Sequence, residues 1–183
     1  MANKELYRAP QEVDRFVDEY PALAKIANTP TAAWINDHEH IEQKVRPYSA
    51  EARKLGQVPL FVLYNAIQRN PEGHIDGSVS DGAGTLGAYK KWIDNILLAT
   101  QTESIFILEP DATARGLDIG SNEPVLDYAI TELAAAGHSV YVDVGHSDWV
   151  SAQQMANSIA PFVGAAKGIS LNVSNYGTII SMA

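Results

Sequence analysis

Five short apolar runs, each separated from the next by a stretch with helical spacing, constrain this chain most. The runs cover residues 31–35, 58–65, 104–111, 139–145 and 168–175, and the helical stretches between them cover 41–55, 85–100, 122–137 and 149–165. A further helical stretch, 10–28, precedes the first run and is interrupted at Pro21. Strands joined by single helices pair in parallel through right-handed crossovers, so the order βαβαβαβαβ predicts an α/β fold of parallel βα units. Two architectures satisfy that order: a doubly wound open sheet and part of a (β/α) barrel. An eight-stranded barrel takes about 250 residues. Five strands in 183 residues therefore give at most an incomplete or distorted barrel. No internal repeat or low-complexity linker divides the chain, and residues 1–183 read as a single domain.

Local punctuation supports the alternation. Gly56 stops the stretch 41–55; Ser121 or Asn122 caps the stretch 122–137, Pro124 fits its first turn and Gly137 ends it. Between the second strand and the third helical stretch lie residues 66–84, rich in Gly, Pro, Asn and Asp. A segment of that length inside a compact domain is a functional loop or a disordered one. The formal charge of −9 argues against nucleic acid or an anionic membrane as partner. The absence of cysteine removes disulfides, thiolate metal sites and cysteine nucleophiles. The first 25 residues are polar and amphipathic, without the apolar core of a signal peptide, and no apolar run approaches a membrane span.

The third run carries the chemistry most visibly. Ile105 to Leu108 is continuously apolar, as expected of a strand covered on both faces, and Glu109, Pro110 and Asp111 follow at once. A proline ends ladder pairing, so two carboxylates stand just past the C-terminal end of a parallel strand, where α/β folds place their chemistry. A lone Asp there is more often a cap or turn acid. The other ends decide, since each carries polar or aromatic groups: Trp34 with Asn36 to His40; Tyr64 and Asn65; Asp143, His146 and Asp148; Asn172, Ser174 and Asn175. The opposite ends, at Thr31, Val58, Ser104, Ser139 and Gly168, are bland. Amides and carboxylates bond hydroxyls, and aromatic faces stack on the apolar faces of sugars. The rim suits a neutral polyhydroxyl ligand and, with few cations, suits phosphates badly.

Three other motifs compete. Gly82-Ala-Gly-Thr-Leu-Gly87 spells a dinucleotide fingerprint, but no strand directly precedes it, so it reads better as a loop entering a helix. His38 and His40, with Asp143 and His146 from later strands, offer a metal-hydrolase alternative, against the commoner reading of a solvated polar loop. No serine sits in a nucleophile elbow.

Several segments resemble glycoside hydrolase family 6. They are Leu60-Phe-Val-Leu-Tyr-Asn-Ala-Ile-Gln-Arg-Asn70, Ile107-Leu-Glu-Pro-Asp-Ala112, Tyr141-Val-Asp-Val-Gly-His-Ser-Asp-Trp149 and Ser170-Leu-Asn-Val-Ser-Asn-Tyr176, with Ala33-Trp34 and Ala88-Tyr-Lys-Lys-Trp-Ile93. They keep that family's order and spacing along nearly the whole chain. The resemblance implies a distorted (β/α) barrel that hydrolyses β-1,4-glucosidic bonds in cellulose-type glucans by an inverting mechanism, secreted and without a cofactor or metal. It implies Asp111 as general acid, with a proton affinity raised by its surroundings. Tyr64 then lies beneath the distorted sugar, and Ser80 helps hold the catalytic water. Trp34, Asp143, His146, Trp149, Asn172 and Asn175 line the sugar subsites, with a β-glucan or cello-oligosaccharide as partner. An inverting pair of carboxyls stands roughly 6.5–9.5 Å apart, leaving room for water.

The departures shape the expectation. Where the family usually has Arg-Asp-Cys, this chain has Arg69-Asn70-Pro71, and Asn70 can hydrogen-bond but cannot carry negative charge. Residues 71–78 look longer than the family's loop, and its disulfide cysteines are absent. The family's C-terminal third, with further tryptophans, a lysine, a glutamate and the late aspartate often proposed as base, has no counterpart before Ala183. The resemblance therefore implies a shortened domain. Its open barrel is expected to close by self-association or by compaction of the sheet, and the alternative function is a catalytically impaired or repurposed glucan-binding protein.

Overall fold

The computed structural model describes residues 4–36, 39–66, 82–113 and 119–173. Each apolar run forms a strand: β1 (Ala33–Ile35), β2 (Leu60–Leu63), β3 (Ile105–Leu108), β4 (Ser139–Asp143) and β5 (Gly168–Ser170). They form one sheet in the order β1-β2-β3-β4-β5, and every neighbouring pair is parallel. Strand order equal to chain order decides between the two architectures. A doubly wound sheet reverses its order partway. An unreversed order with crossovers of one hand sets all the helices on one side and curls the sheet towards a barrel. The described strands are thus an arc of a (β/α) barrel, not closed, with β1 and β5 at its two edges.

The helices are α1 (Ala24–Ala27), α2 (Ile41–Leu55), α3 (Leu86–Ala99), α4 (Ile119–Ala135) and α5 (Ala152–Ile159). Successive helices pack side by side, α2 against α3 and α3 against α4. Gly56 ends α2 in the left-handed conformation, φ 69°, as its sequence position predicts. Thr85 caps α3 by accepting from the Ala88 N–H at 3.2 Å.

Three rows of side chains cross the sheet in register. Phe61, Phe106 and Val140 form one row, and Ile35, Leu63, Leu108 and Val142 another. Both point into the core, where Tyr89, Trp92, Ile93, Ile96, Ala129, Ile130 and Leu133 from α3 and α4 meet them. Phe61 stacks on Phe106 with ring centroids 5.3 Å apart. The row between, Trp34, Val62, Ile107, Tyr141 and Gly168, alternates to the other face, the inside of the barrel arc.

That alternation corrects one expectation. β3 is not sealed on both faces: Phe106 and Leu108 are buried, whereas Ile105 and Ile107 are only half-buried. One face carries helices and the other looks into the open arc. Other differences lie at helix ends. The stretch 10–28 is two short 3₁₀ segments followed by α1. α4 begins at Ile119, ahead of the expected cap, so Pro124 sits inside the helix. α5 begins later than 149, because Ser151 and Gln154 form a reciprocal capping box: the Gln154 N–H donates to the Ser151 hydroxyl oxygen at 3.3 Å and the Ser151 N–H to Gln154 Oε1 at 3.0 Å.

Phe106 is fully buried, stacked on Phe61 and packed edge to face with His138, ring centroids 5.2 Å apart. Phe106→Ala is expected to lower stability by about 3–5 kcal/mol, read as a fall in the urea midpoint at constant slope. A loss under about 1 kcal/mol would show that the sheet collapses into the void, against the packing described.

Candidate active site

Parallel pairing sets all five C-terminal strand ends on one rim, and the ladder continues past the strands to hold the rim together. Tyr64 N–H donates to Ile35 O at 3.0 Å, Glu109 N–H to Leu63 O at 2.8 Å, Val144 N–H to Ser170 O at 3.0 Å and Asn172 N–H to Gly145 O at 2.9 Å. Side chains on neighbouring ends are therefore fixed relative to each other by backbone bonds.

The turn after β3 is strained. Glu109 and Asp111 both have positive φ, 49° and 73°. Non-glycine residues rarely adopt this region, at a cost of the order of 1–3 kcal/mol each. It persists because neighbours over-determine it. Glu109 is 0% exposed. Its Oε2 accepts from the Asn65 and Ala66 N–H groups, both at 2.7 Å, and its Oε1 from the Tyr89 hydroxyl at 2.8 Å. Burial, then the Glu109 charge, holds the Tyr89 phenol well above the ordinary range, so it serves as a donor. Asp111 is 8% exposed, and its N–H donates to Asp143 Oδ1 at 3.0 Å.

Asp143, at the end of β4, is 1% exposed. Its Oδ1 also accepts from the Gly145 N–H at 2.9 Å, its Oδ2 from the Ser170 hydroxyl at 3.4 Å, and its carbonyl from the Thr113 hydroxyl at 2.6 Å. Burial pushes its carboxyl up to about 6; the Asp111 charge adds to the rise, while the Asp111 and Gly145 N–H groups and the Ser170 hydroxyl oppose it. Two acids from adjacent strands thus share one hydrogen-bonded unit.

Aromatic groups flank this unit. Trp34 of β1 and Tyr64, just past β2, meet edge to face with centroids 5.9 Å apart. On the other side the His146 ring lies 4.4 Å from Trp149, and His146 Nδ1 accepts from the Asp148 N–H at 3.3 Å. Trp34 and Trp149 are both partly exposed on the rim. Asn172 stands past β5 with φ 61°. Asn70, Ser80 and Asn175 lie outside the described residues, as does His38. His40 is exposed, and among the described residues no group of three or more His, Asp or Glu is placed to hold a metal.

The glycine motif at 82–87 has a local explanation. A Cβ on Gly82, φ 84°, would lie 1.8 Å from Ala66 O. The first glycine is there for close backbone approach. Sequence reasoning placed Glu109 on the rim with Asp111; the structure turns it inward.

The sequence profile described as "Glycosyl hydrolases family 6" matches residues 2–182. "Endoglucanase A" of Cellulomonas fimi is 35% identical over 164 residues, covering 85% of this chain and 35% of that protein. "Endoglucanase A" of Thermobispora bispora is 31% identical over 165 residues, covering 83% and 35%. The structure of the endoglucanase Cel6 from Mycobacterium tuberculosis, in complex with methyl-cellobiosyl-4-deoxy-4-thio-β-D-cellobioside, superposes with a TM-score of 0.82 at 29% identity, covering 99% of this chain and 66% of that one. The chain therefore spans about a third of the length of these two endoglucanases and about two thirds of the solved chain.

The Asp143 carboxyl gives a pH test. With a folded value of about 6 against an ordinary 3.8, the folded state binds more protons than the unfolded one between those values. Stability then falls as pH rises through that window. Asp143→Asn keeps an oxygen for both N–H bonds and removes the titration. Urea unfolding at pH 4 and pH 7 is expected to show wild type losing up to about 3 kcal/mol that the variant does not lose. Matching pH dependence in both would assign the titration elsewhere. The match along almost the whole chain, the superposition and the strand-end acids together make this chain a member of glycosyl hydrolases family 6.

Proposed function

We propose that this chain carries the acid-bearing part of a β-1,4-glucanase acting on cellulose-type glucans with inversion, Asp111 being the proton donor. The observation that carries the reading is the placement of Asp111: a nearly buried carboxyl on a strained strand-end turn, held through its own N–H by Asp143, in a chain matched by the family from residue 2 to 182. Asp111 gives its proton to the glycosidic oxygen as the C–O bond breaks, and the leaving sugar departs with a free hydroxyl. Water adds to the anomeric carbon from the opposite face and loses its proton to a base on that side.

The exposed faces of Trp34 and Trp149, with Tyr64, His146 and Asn172, lie where they would flank a sugar chain crossing the rim. Asp143, with both carboxyl oxygens engaged by the protein, acts through Asp111. Asn70, Ser80 and Asn175 keep the roles their family positions imply. The activity is placed outside the cell, where polymeric glucan is met. Among the described residues no helix is long and apolar enough to cross a membrane. Self-association belongs to the same reading: β5 is an edge, and Ile169 and Leu171 beside it are exposed next to an apolar groove of about 340 Å³. A sedimentation mass of two chains is expected, and a single-chain mass at all concentrations would remove it.

Reducing-sugar release from a soluble cellulose derivative tests the main proposal. Asp111→Ala is expected to lower kcat by about 10²–10⁴-fold, while quenching of tryptophan fluorescence by cello-oligosaccharides persists. Background rates from both proteins, with binding intact, would replace hydrolysis by glucan binding alone; loss of binding as well would end both sugar readings.

A further inference from the structure

The side chain that ties the rim together is Glu109, which is fully buried. Its Oε2 takes two peptide N–H groups past the end of β2, and its Oε1 takes the hydroxyl of Tyr89 on α3. Its main chain is also held: the N–H by Leu63 O at 2.8 Å and the carbonyl by the Ala112 N–H at 3.0 Å. The peptide units it holds are themselves a junction. Asn65 O accepts from the Ala83 N–H at 3.0 Å, and Gly82 packs so closely on Ala66 O that any side chain would collide. The residues on either side of 67–81, the stretch that contains Asn70 and Ser80, thus meet at the two peptides Glu109 grips.

We propose that Glu109 is a positioning residue: its carboxylate fixes the turn presenting Asp111 and the meeting point of Asn65, Ala66, Gly82 and Ala83 as one rigid unit. The proposal rests on the reading of Asp111 as proton donor. A misplacement of about 1 Å in a reacting group costs about 100-fold in rate, so the grip matters for turnover more than for binding.

The two oxygens are chemically separable, which makes the idea testable. A glutamine can set its oxygen against both peptide N–H groups and donate its amide hydrogen to the Tyr89 oxygen, so Glu109→Gln keeps the geometry without the charge. Glu109→Ala removes the three side-chain bonds described, and Glu109→Asp draws the oxygens back by one methylene, which serves where Glu109→Ala does not fold. Tyr89→Phe removes only the bond to Oε1.

The expected results are a kcat lower by about 100-fold for Glu109→Ala or Glu109→Asp with KM within about threefold, and a kcat within about tenfold of wild type for Glu109→Gln and Tyr89→Phe. Backbone amide exchange, followed by NMR, supplies a readout independent of activity. In Glu109→Ala or Glu109→Asp the amides of Asn65, Ala66 and Asp111 are expected to lose protection together, with that of Val140 in the core unaffected; in Glu109→Gln they stay protected. A folded Glu109→Ala or Glu109→Asp with wild-type kcat overturns the proposal. So does unaltered protection at Asp111, and so does a Glu109→Gln as impaired as Glu109→Ala, which would assign the effect to charge. If wild type shows no hydrolysis, the functional reading fails, and the exchange pattern alone decides whether Glu109 holds the turn.

Discussion

Parallel pairing in unbroken chain order is the constraint on which the rest of this molecule depends. Among the described residues, each strand pairs with its predecessor and successor in the chain. Crossovers of one hand then put the helices on one side, leave the row from Trp34 to Gly168 facing the inside of the arc, and bring every C-terminal strand end to one rim. Without that order Asp111 and Asp143, 32 residues apart in sequence, would not share a hydrogen bond. The same order leaves edges, and apolar side chains at Ile169 and Leu171 stand exposed beside one of them.

The rim is held by buried carboxylates. Taking an ionised carboxylate out of water is costly unless it is fully hydrogen-bonded. Glu109 meets that condition with three donors, two of them backbone, and bonds of this charge-assisted kind contribute about 1.5–3 kcal/mol each. That suffices to offset left-handed backbone at Glu109 and Asp111. Asp143 meets it less completely: its donors lower its proton affinity, but burial and the neighbouring Asp111 outweigh them. The donors named for Glu109, at 2.7, 2.7 and 2.8 Å, lie closer than those to the Asp143 carboxyl, at 2.9, 3.0 and 3.4 Å, and it is Asp143 whose carboxyl burial pushes up.

Much of this was legible in the sequence. The periodicity located all five strands, each within a longer expected run, and gave the helix Ile41–Leu55 to the residue, with Gly56 marking its end. Strand-end position singled out Asp111, Tyr64, Trp34, Asp143 and His146, which the fold does gather on one rim. What was not legible depended on long-range contact. The inward turn of Glu109 needs Asn65, Ala66 and Tyr89, twenty or more residues away. The late start of α5 follows from the capping box of Ser151 and Gln154, a local choice that spacing alone does not resolve.

The sequence by itself determined the alternation of strand and helix, the family pattern, and which residues stand just past each strand. These are set by side-chain periodicity and neighbouring residues, which are local. Only the tertiary structure decided that the sheet runs without reversal, that one face of β3 is left half-covered, and that of two carboxylates separated by a single proline one is buried as a brace while the other is presented at the rim. Those outcomes turn on which backbone donors and which helices meet a given side chain, and that is a property of the packed chain.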